Sequence, residues 1–306
     1  MGREADLARA LSAGELIILP TETVYGLAAD AGNAAAVARL YEAKGRPRFN
    51  PLISHVGDLD AALRIANLDE RARALADAFW PGPLTLVGPY RTSGGVCDLA
   101  RAGLDTVAVR VPAHHRARAV LKAFGGPVVA PSANRSGRPS PTTFADAIAE
   151  TGAFAADALD GGPCPVGLES TVVALLDGPP RLLRPGAVTR GAIEALIGAL
   201  ADAEMDAKRS PGRLTRHYAP SAPVRLHVEI PAPGEAYLAF GSAPKGPDVF
   251  NLSPSGDLAE AAMHLFAYLR AADALAPSAI AVAPIPEAGL GEAINDRLRR
   301  AAGFVG

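Results

Sequence analysis

Short apolar runs alternate along the chain with stretches whose apolar residues recur at helical spacing. The runs are rich in Val, Ile and Leu, as β-strands are, whereas residues 33–45 and 69–80 show the period of amphipathic helices. Several runs are apolar at nearly every position, which predicts strands covered by helices on both faces and hence an α/β fold. The predicted strands are ELIILP (15–20), NPLISHV (50–56), PLTLVGP (83–89), TVAVRVP (106–112), GPVVAPS (126–132), STVVALLD (170–177) and PRLLRPG (180–186).

The pattern changes in the last third of the chain. A helical period over residues 189–207 predicts one helix, and it is followed by a segment in which Pro, Gly, Ser and basic residues replace the apolar periodicity, as in linkers. Further apolar runs and helical stretches come after it. We therefore predict a large domain at 1–204, a linker at 205–222 and a smaller α/β domain at 223–306.

Charge and composition narrow the range of partners. The 306-residue chain has a formal net charge of -2, so any polyanion must be bound by a local cluster of Lys and Arg. The N-terminus lacks a signal peptide, and no apolar run reaches the ~20 residues that a membrane span needs. Cys97 and Cys164 form no CxxC motif, which fits a reducing compartment. We expect a cytoplasmic protein that does not bind membranes.

Polar and cationic residues lie at the ends of several predicted strands, where α/β proteins bind ligands. Thr23 follows the first run and His55 ends the second, although a satisfied turn and a core histidine are the ordinary alternatives. Arg110 alternates with valines in its strand, so its buried charge needs an anion. That anion is either a carboxylate of the protein or one of a substrate, and Arg184 poses the same choice.

Two further clusters of cationic and polar residues follow helical or strand segments. Lys44 and Arg46 end a helical stretch, where they either cap the helix or gather phosphate oxygens. Ser132 and Asn134 follow a strand and can bond phosphate or sugar oxygens. Together the clusters predict one positively charged cavity for a triphosphate beside a small carboxylate. The chain has no GxxxxGK[ST], GxGxxG or HExxH motif, which argues against a Walker loop, a dinucleotide fold and a protein-built zinc site.

In this order, the stretches PTETVYGLAAD, KGRPRFNPLISH, WPGPLTLV, PSANRSGRPSPTT and LESTVV resemble the YrdC-like L-threonylcarbamoyladenylate synthases, over residues 1 to about 200. SPGRLTRHYAPSAPV and GLGEAINDRLRRAA resemble the linker and tail of the longer members. The resemblance implies a twisted, open, mixed sheet around a large basic cavity. It also implies an enzyme that joins L-threonine, bicarbonate and ATP into threonylcarbamoyl-AMP and pyrophosphate. Mg²⁺ would come with ATP rather than bind a protein site, and the product would pass to the tRNA threonylcarbamoyl-transfer enzymes.

The resemblance also assigns roles to single residues. Lys44 and Arg46 would be catalytic, neutralising charge as the phosphates react, and Tyr218 in the linker would close over the nucleotide as a lid. Thr23, His55, Arg110, Ala130 and Ser170 would bind threonine. The nucleotide-binding residues would be Arg46, Asn50, Thr106, Ser132, Asn134, Ser140, Arg184 and Tyr218.

Two other functions compete with this interpretation. The same basic cavity could belong to a non-catalytic RNA-binding module, but the basic clusters lack the aromatic residues on which bases stack. A related maturation domain that uses carbamoyl phosphate would bring zinc-finger cysteines, which the sequence does not contain. We therefore expect an enzyme without stable binding of nucleic acid.

Overall fold

The computed structural model of the chain describes residues 2–202 and 217–303. Most of the predicted linker, 205–216, lies outside the described residues. The strands of the described part are β1 Ile17–Leu19, β2 Gly26–Asp30, β3 Ile53–His55, β4 Leu84–Pro89, β5 Thr106–Arg110, β6 Val128–Val129, β7 Asp157–Ala158, β8 Thr171–Ala174, β9 Arg181–Arg184, β10 Ala201–Asp202, β11 Val224–Arg225, β12 Ala236–Ala239, β13 Val249–Asn251 and β14 Ile280–Val282. The helices of that part are α1 Arg3–Ser12, α2 Ala34–Lys44, α3 Leu59–Ile65, α4 Glu70–Phe79, α5 Asp98–Arg101, α6 His115–Phe124, α7 Phe144–Thr151, α8 Arg190–Ile197, α9 Leu258–Ala274 and α10 Leu290–Ala301.

All seven predicted strands belong to one large mixed sheet. Within residues 2–202 this sheet has ten strands in the order β10-β9-β8-β4-β5-β3-β6-β2-β1-β7. Neighbouring strands are parallel in the β3–β5 and β4–β8 pairs and antiparallel in the β4–β5 and β8–β9 pairs. The predicted mixed α/β sheet is therefore confirmed.

The two faces of this sheet differ in chemistry because successive side chains of a strand point to opposite sides. In β5, Val107 and Val109 join the main hydrophobic core. Thr106, Ala108 and Arg110 point to the other face, where Ala108 belongs to a small apolar cluster. This second face carries the polar residues that the sequence singled out.

Helix α2 presents the basic cluster, and its ends are set by local sequence. The Asn33 side chain accepts hydrogen bonds from the backbone N–H groups of Ala35 and Ala36, which caps the first turn. Gly45 ends the helix with a φ of 60°, a left-handed conformation that glycine adopts without steric cost. The chain therefore turns directly after Lys44, and Arg46 follows outside the helix.

The single helix predicted over residues 189–207 is wrong. Helix α8 ends at Ile197, and Gly198 follows it with a φ of 82°. The chain then forms β10, which pairs in parallel with β9 at the edge of the large sheet. The left-handed glycine breaks the helical period that the surrounding Ala and Leu residues suggest.

The C-terminal part contains a second α/β layer, as predicted. Strands β11, β14, β12 and β13 form a sheet in which every pair is parallel. Helices α9 and α10 supply much of its hydrophobic core, which also includes Tyr218 from the linker. Among the helices of the described residues, none is both long and apolar enough to cross a bilayer.

Candidate functional site

A cavity lies on the second face of the large sheet, against the C-terminal domain. Its wall brings together residues that are far apart in the chain. Nine of the sequence-predicted residues line it: Thr23, Arg46, His55, Arg110, Ala130, Ser132, Ser170, Arg184 and Tyr218. The predicted convergence of strand-end residues on one cavity therefore holds for these nine.

Two of the lining guanidinium groups have no carboxylate partner at ion-pair distance among the described residues. Arg46 donates to two backbone oxygens, from Nε to Asn50 O at 3.5 Å and from Nη2 to Pro51 O at 3.3 Å. Arg184 donates to Ser170 O from Nε at 3.1 Å and from Nη2 at 2.9 Å. Desolvation lowers the pKa of Arg46 to about 10 and lowers the pKa of Arg184 as well. Both groups remain cationic at neutral pH, so the cavity favours a bound anion.

Arg110 pairs with a carboxylate of the protein, which is one of the two kinds of anion that the sequence left open. Its Nη2 donates to Glu22 Oε1 at 2.5 Å, and its Nε donates to Gly82 O at 3.2 Å. Glu22 also accepts a hydrogen bond from the backbone N–H of Ala113 at 2.9 Å. Although burial raises the pKa of Glu22, Arg110 lowers it more, so the carboxylate stays ionised. No described residue takes a hydrogen bond from Nη1 of Arg110, the donor that remains for a ligand.

The neighbours of Arg110 make this end of the cavity small and polar. Burial lowers the pKa of His55 to about 3, so its imidazole is neutral at physiological pH. The Ser170 hydroxyl lies 2.7 Å from the Thr85 hydroxyl, and the Thr23 hydroxyl lies 2.7 Å from that of Thr21. These contacts orient hydroxyl groups beside a cation, as a site for a small amino acid requires.

The structure places Lys44 behind the cavity wall rather than in its lining, and its catalytic role stays a prediction. Its Nζ donates to the backbone oxygens of Ser132 and Asn134. Desolvation, and next the charge of Arg46, hold the pKa of Lys44 well below its usual value. The Lys44 side chain therefore fastens the loop that carries Ser132, and it reaches a ligand only through that loop.

Three other predicted residues also stand just outside the lining. The Asn134 amide donates to Arg135 O at 2.8 Å and to Arg138 O at 2.9 Å, so it shapes its own loop. Ser140 donates to Glu169. Asn50 offers its backbone oxygen to Tyr41 and to Arg46. These residues support the wall, and direct contact with a nucleotide stays a prediction.

Thr106 lies farther away, at the start of β5. It shares a face with Arg110 but is separated from it by about 13 Å of strand, and it borders a neighbouring cleft. Because Ile53 pairs with Ala108, the chain before β3, including Asn50, lies at the same end of the sheet as Thr106. The structure therefore does not place Thr106 with the nine lining residues.

The cavity also contains residues that the sequence did not single out. Glu169 lines the wall as a buried carboxylate, and His217 lies beside Tyr218 with its ring centroid 4.0 Å away. Nδ1 of His217 is buried and has no hydrogen-bond partner in the described part of the chain. Desolvation and then nearby cations, Arg46 first among them, hold the pKa of His217 well below its usual value. Only the adjacency of His217 to Tyr218 in the linker could have pointed to it.

Tyr218 joins the cavity to the C-terminal domain. Its side chain is 1% exposed, and its backbone is held at a φ of 61°, which is uncommon for a residue other than glycine. The ring packs on Phe266 of α9 with centroids 5.3 Å apart. The predicted contact of the linker with the cavity is therefore present at Tyr218.

Comparison with known proteins identifies the family of the chain. Residues 9–186 match a family model described as "Telomere recombination" (Sua5_yciO_yrdC), and residues 188–303 match one described as "Threonylcarbamoyl-AMP synthase, C-terminal domain". The threonylcarbamoyl-AMP synthase of Pyrococcus abyssi is 40% identical over 314 residues, with 95% of this chain and 91% of that protein covered. The chain belongs to the threonylcarbamoyl-AMP synthase family.

Other members of the family match along nearly the whole chain. The threonylcarbamoyl-AMP synthase of Bacillus subtilis is 37% identical, with 98% of this chain and 92% of that protein covered. The crystal structure of P. abyssi Sua5 complexed with L-threonine superposes with a TM-score of 0.90 at 38% identity and covers 98% of this chain and 94% of that one. The predicted family and its nucleotidyltransferase activity are thus confirmed, as is the two-domain α/β fold.

Proposed function

We propose that this chain performs the reaction of its family, in which L-threonine, bicarbonate and ATP give threonylcarbamoyl-AMP and pyrophosphate. The observation that carries the proposal is the pair of cavity guanidinium groups, Arg46 and Arg184, that have no carboxylate partner in the described residues. A polyphosphate would supply the negative charge that these two guanidinium groups lack. A smaller polar compartment lies next to them.

Threonine would occupy the compartment around Arg110. Its carboxylate would take Nη1 of Arg110, because Nη2 is already bound to Glu22. The neutral ring of His55 and the hydroxyls of Thr23 and Ser170 would surround the amino acid, together with the backbone of Ala130. The threonine in the related crystal structure supports this choice of ligand.

ATP would extend from this compartment along the sheet. Arg46, Ser132 and Arg184 line the part that would hold the phosphates, with Asn134 and Ser140 in the layer behind. An apolar cluster containing Ala108, Val172 and Ala174 continues toward Thr106 and offers a flat surface for the adenine ring. On this path, Thr106 and Asn50 contact the adenosine end and Tyr218 covers the nucleotide.

The reaction requires the protein to bring two anions, a carbamate and a triphosphate, together. Threonine's amine and bicarbonate condense to a carbamate with loss of water, and a carbamate oxygen then attacks the α-phosphorus while pyrophosphate leaves. Repulsion between the carbamate and the triphosphate opposes this step. Arg46 and Arg184 offset that repulsion in a cavity where charges are poorly screened, and the loop held by Lys44 keeps Ser132 in place.

Mg²⁺ fits this site only together with ATP. The carboxylates of Glu22 and Glu169 are both engaged by arginines, and in the described part no three His, Cys, Asp or Glu side chains gather to hold a metal. The phosphate oxygens of ATP would therefore be its ligands. When bound, the ion supplies further neutralisation of the phosphate charge.

Replacing Lys44 with methionine should reduce proton uptake on ATP binding at alkaline pH and leave the part contributed by Arg46. The pKa of Lys44 is depressed by burial and by Arg46, and bound phosphates would raise it toward its ordinary value of 10.5. Uptake should thus appear between the depressed and the ordinary pKa and vanish at lower pH, where the amine is already protonated. Calorimetry in buffers of different ionisation enthalpy measures it. Equal uptake by the wild type and Lys44→Met would contradict the prediction; Lys245→Met, at a distant exposed lysine, is the matched control.

Replacing Tyr218 with leucine should increase the loss of threonylcarbamoyl-AMP by hydrolysis. With less of the ring over the cavity, water would reach the mixed anhydride and hydrolyse it. We expect more pyrophosphate released for each threonylcarbamoyl-AMP recovered, measured by chromatography of both products. Tyr268→Leu changes an aromatic of α9 that packs on Phe250 and serves as the control. An unchanged ratio in Tyr218→Leu would reject a covering role for the ring.

The product would serve tRNA threonylcarbamoyl-transfer enzymes, and we propose that this occurs in the cytoplasm. The two cysteines of the described residues are free thiols, which supports a reducing compartment. Full-length similarity to synthases favours catalysis over the alternative of an RNA-binding module.

One assay separates these functions. The purified chain is incubated with ATP, Mg²⁺, bicarbonate and L-threonine, and pyrophosphate is measured with each component left out in turn. We expect release that requires both threonine and bicarbonate. Release that ignores either substrate rejects the synthase proposal, whereas salt-dependent RNA binding without nucleotide turnover would favour the binding module.

A further inference from the structure

The C-terminal domain reaches the cavity wall through one buried side chain, Arg297 of α10. No part of this side chain is exposed. Its Nε donates to Glu169 Oε2 at 3.0 Å, and its Nη1 donates to Pro185 O at 2.7 Å and to Asp296 Oδ2 at 2.8 Å. Glu169 and Pro185 belong to the large domain, so the guanidinium is shared between the domains.

The two contacts with the large domain lead to residues that line the cavity. Glu169 lines it directly, and Pro185 immediately follows the lining residue Arg184. The guanidinium carbon of Arg297 also lies 5.5 Å from the centroid of the Tyr218 ring, within the range of a cation–π contact. One side chain of the C-terminal domain therefore touches three separate parts of the wall.

The contact with Glu169 matters because the cavity suits polyanions. Burial alone would raise the pKa of Glu169, but Arg297 first and Arg184 second lower it, so the carboxylate is ionised. Arg297 keeps this negative charge paired. Without that cation, a buried charge would face the phosphates of a nucleotide, and Glu169 would compete for Arg184.

We propose that Arg297 is a positioning residue of the synthase reaction, which acts from the C-terminal domain by pairing with Glu169 and fixing the backbone beside Arg184. The inference rests on the proposed binding of ATP in this cavity. It makes the C-terminal domain a working part of the nucleotide site, in addition to any role in stability.

The test compares full-length variants for ATP affinity, pyrophosphate release and unfolding temperature. Arg297→Met should weaken ATP binding more than tenfold, because Glu169 is left ionised and unpaired. The double variant Glu169→Gln/Arg297→Met removes both charges and should recover most of that affinity. Arg299→Met is the matched control, since Arg299 lies on the same helix but its side chain is 44% exposed and pairs with Glu287.

A pH series distinguishes a positioning role from a purely structural one, because loss of a purely structural contact would not make ATP affinity recover at low pH. In Arg297→Met the pKa of Glu169 rises, because burial is then opposed only by the charge of Arg184 and the hydrogen bond from Ser140. Lowering the pH should then protonate Glu169 and restore ATP affinity relative to the wild type. The double variant should lack this recovery, because it has no carboxylate to titrate.

Two results would overturn the inference: wild-type ATP affinity of Arg297→Met at every pH, or a double variant that binds no better than the single one. If Arg297→Met does not fold, Arg297→Lys takes its place. It keeps the cation but loses part of the hydrogen bonding, so we expect a loss of less than tenfold without the pH-dependent recovery. Wild-type affinity and turnover in Arg297→Lys would reject the positioning role. Absence of ATP binding by the wild type would instead reject the proposed function.

Discussion

Replacing Arg46 with methionine is expected to lower the rate of pyrophosphate release by a factor on the order of 10²–10³, about 2.7–4 kcal/mol of transition-state stabilisation. The guanidinium lines the cavity and forms no ion pair with a carboxylate of the described residues, so its charge is available to the phosphates. Methionine retains much of the side-chain volume and removes only the charge and the donors. Steady-state kinetics at saturating threonine and bicarbonate measure the effect.

The matched control is Arg48→Met. Arg48 lies two residues away in the same loop but is exposed, with a 3.5 Å contact to Glu42, and its loss should leave turnover unchanged. Because desolvation lowers the pKa of Arg46, its charge also opposes folding of the empty cavity. Arg46→Met should therefore raise the unfolding temperature while it lowers activity. Equal turnover in the two variants would show that Arg46 does not act on the phosphates.

Replacing Arg110 with methionine is expected to raise the KM for L-threonine more than tenfold and to lower the free energy of unfolding by about 3–5 kcal/mol. The first effect follows from loss of the donor assigned to the threonine carboxylate. The second arises because Glu22 would be left as a buried, unpaired carboxylate. Threonine titrations at saturating ATP and urea unfolding measure the two effects separately.

The double variant Glu22→Gln/Arg110→Met distinguishes binding from folding. It removes both members of the buried pair, so stability should recover in large part. The KM for threonine should stay high, because no guanidinium remains to bind the carboxylate. Recovery of both stability and threonine use would mean that Arg110 serves only to neutralise Glu22, and the threonine compartment would have to lie elsewhere.

Local patterns predict the strands of the large sheet because apolar β-branched runs are a property of neighbouring residues. The missed strands, β2, β7, β10 and β13, are at most five residues long, and three of them contain alanines, among them Ala28, Ala158 and Ala201, that carry little strand preference. Strand order depends on pairings between distant segments, so the pattern of one segment does not contain it. The helix predicted through residue 207 instead ends before Gly198. Here a single glycine outweighs a long stretch of residues with helical spacing.

The candidate site was likewise predictable only in part from the sequence. The ends of predicted strands identified cationic residues such as Arg110, because a charge in an apolar strand requires a partner. The identity of that partner was not predictable, since Glu22 lies 88 positions away in the sequence. Nor could the sequence show that the Lys44 amine turns toward backbone oxygens or that Arg297 reaches Glu169 across 128 positions. Both are tertiary contacts, the Lys44 contacts within the large domain and the Arg297 contact between the two domains.

A crystal structure with L-threonine and a non-hydrolysable ATP analogue tests the central claim most directly. That claim is that cavity guanidinium groups without protein carboxylate partners hold the phosphates next to threonine. We expect phosphate oxygens within hydrogen-bond distance of Arg46 and Arg184, and the threonine carboxylate on Nη1 of Arg110. An analogue bound on another surface, with these arginines still contacting only protein atoms, would contradict the account.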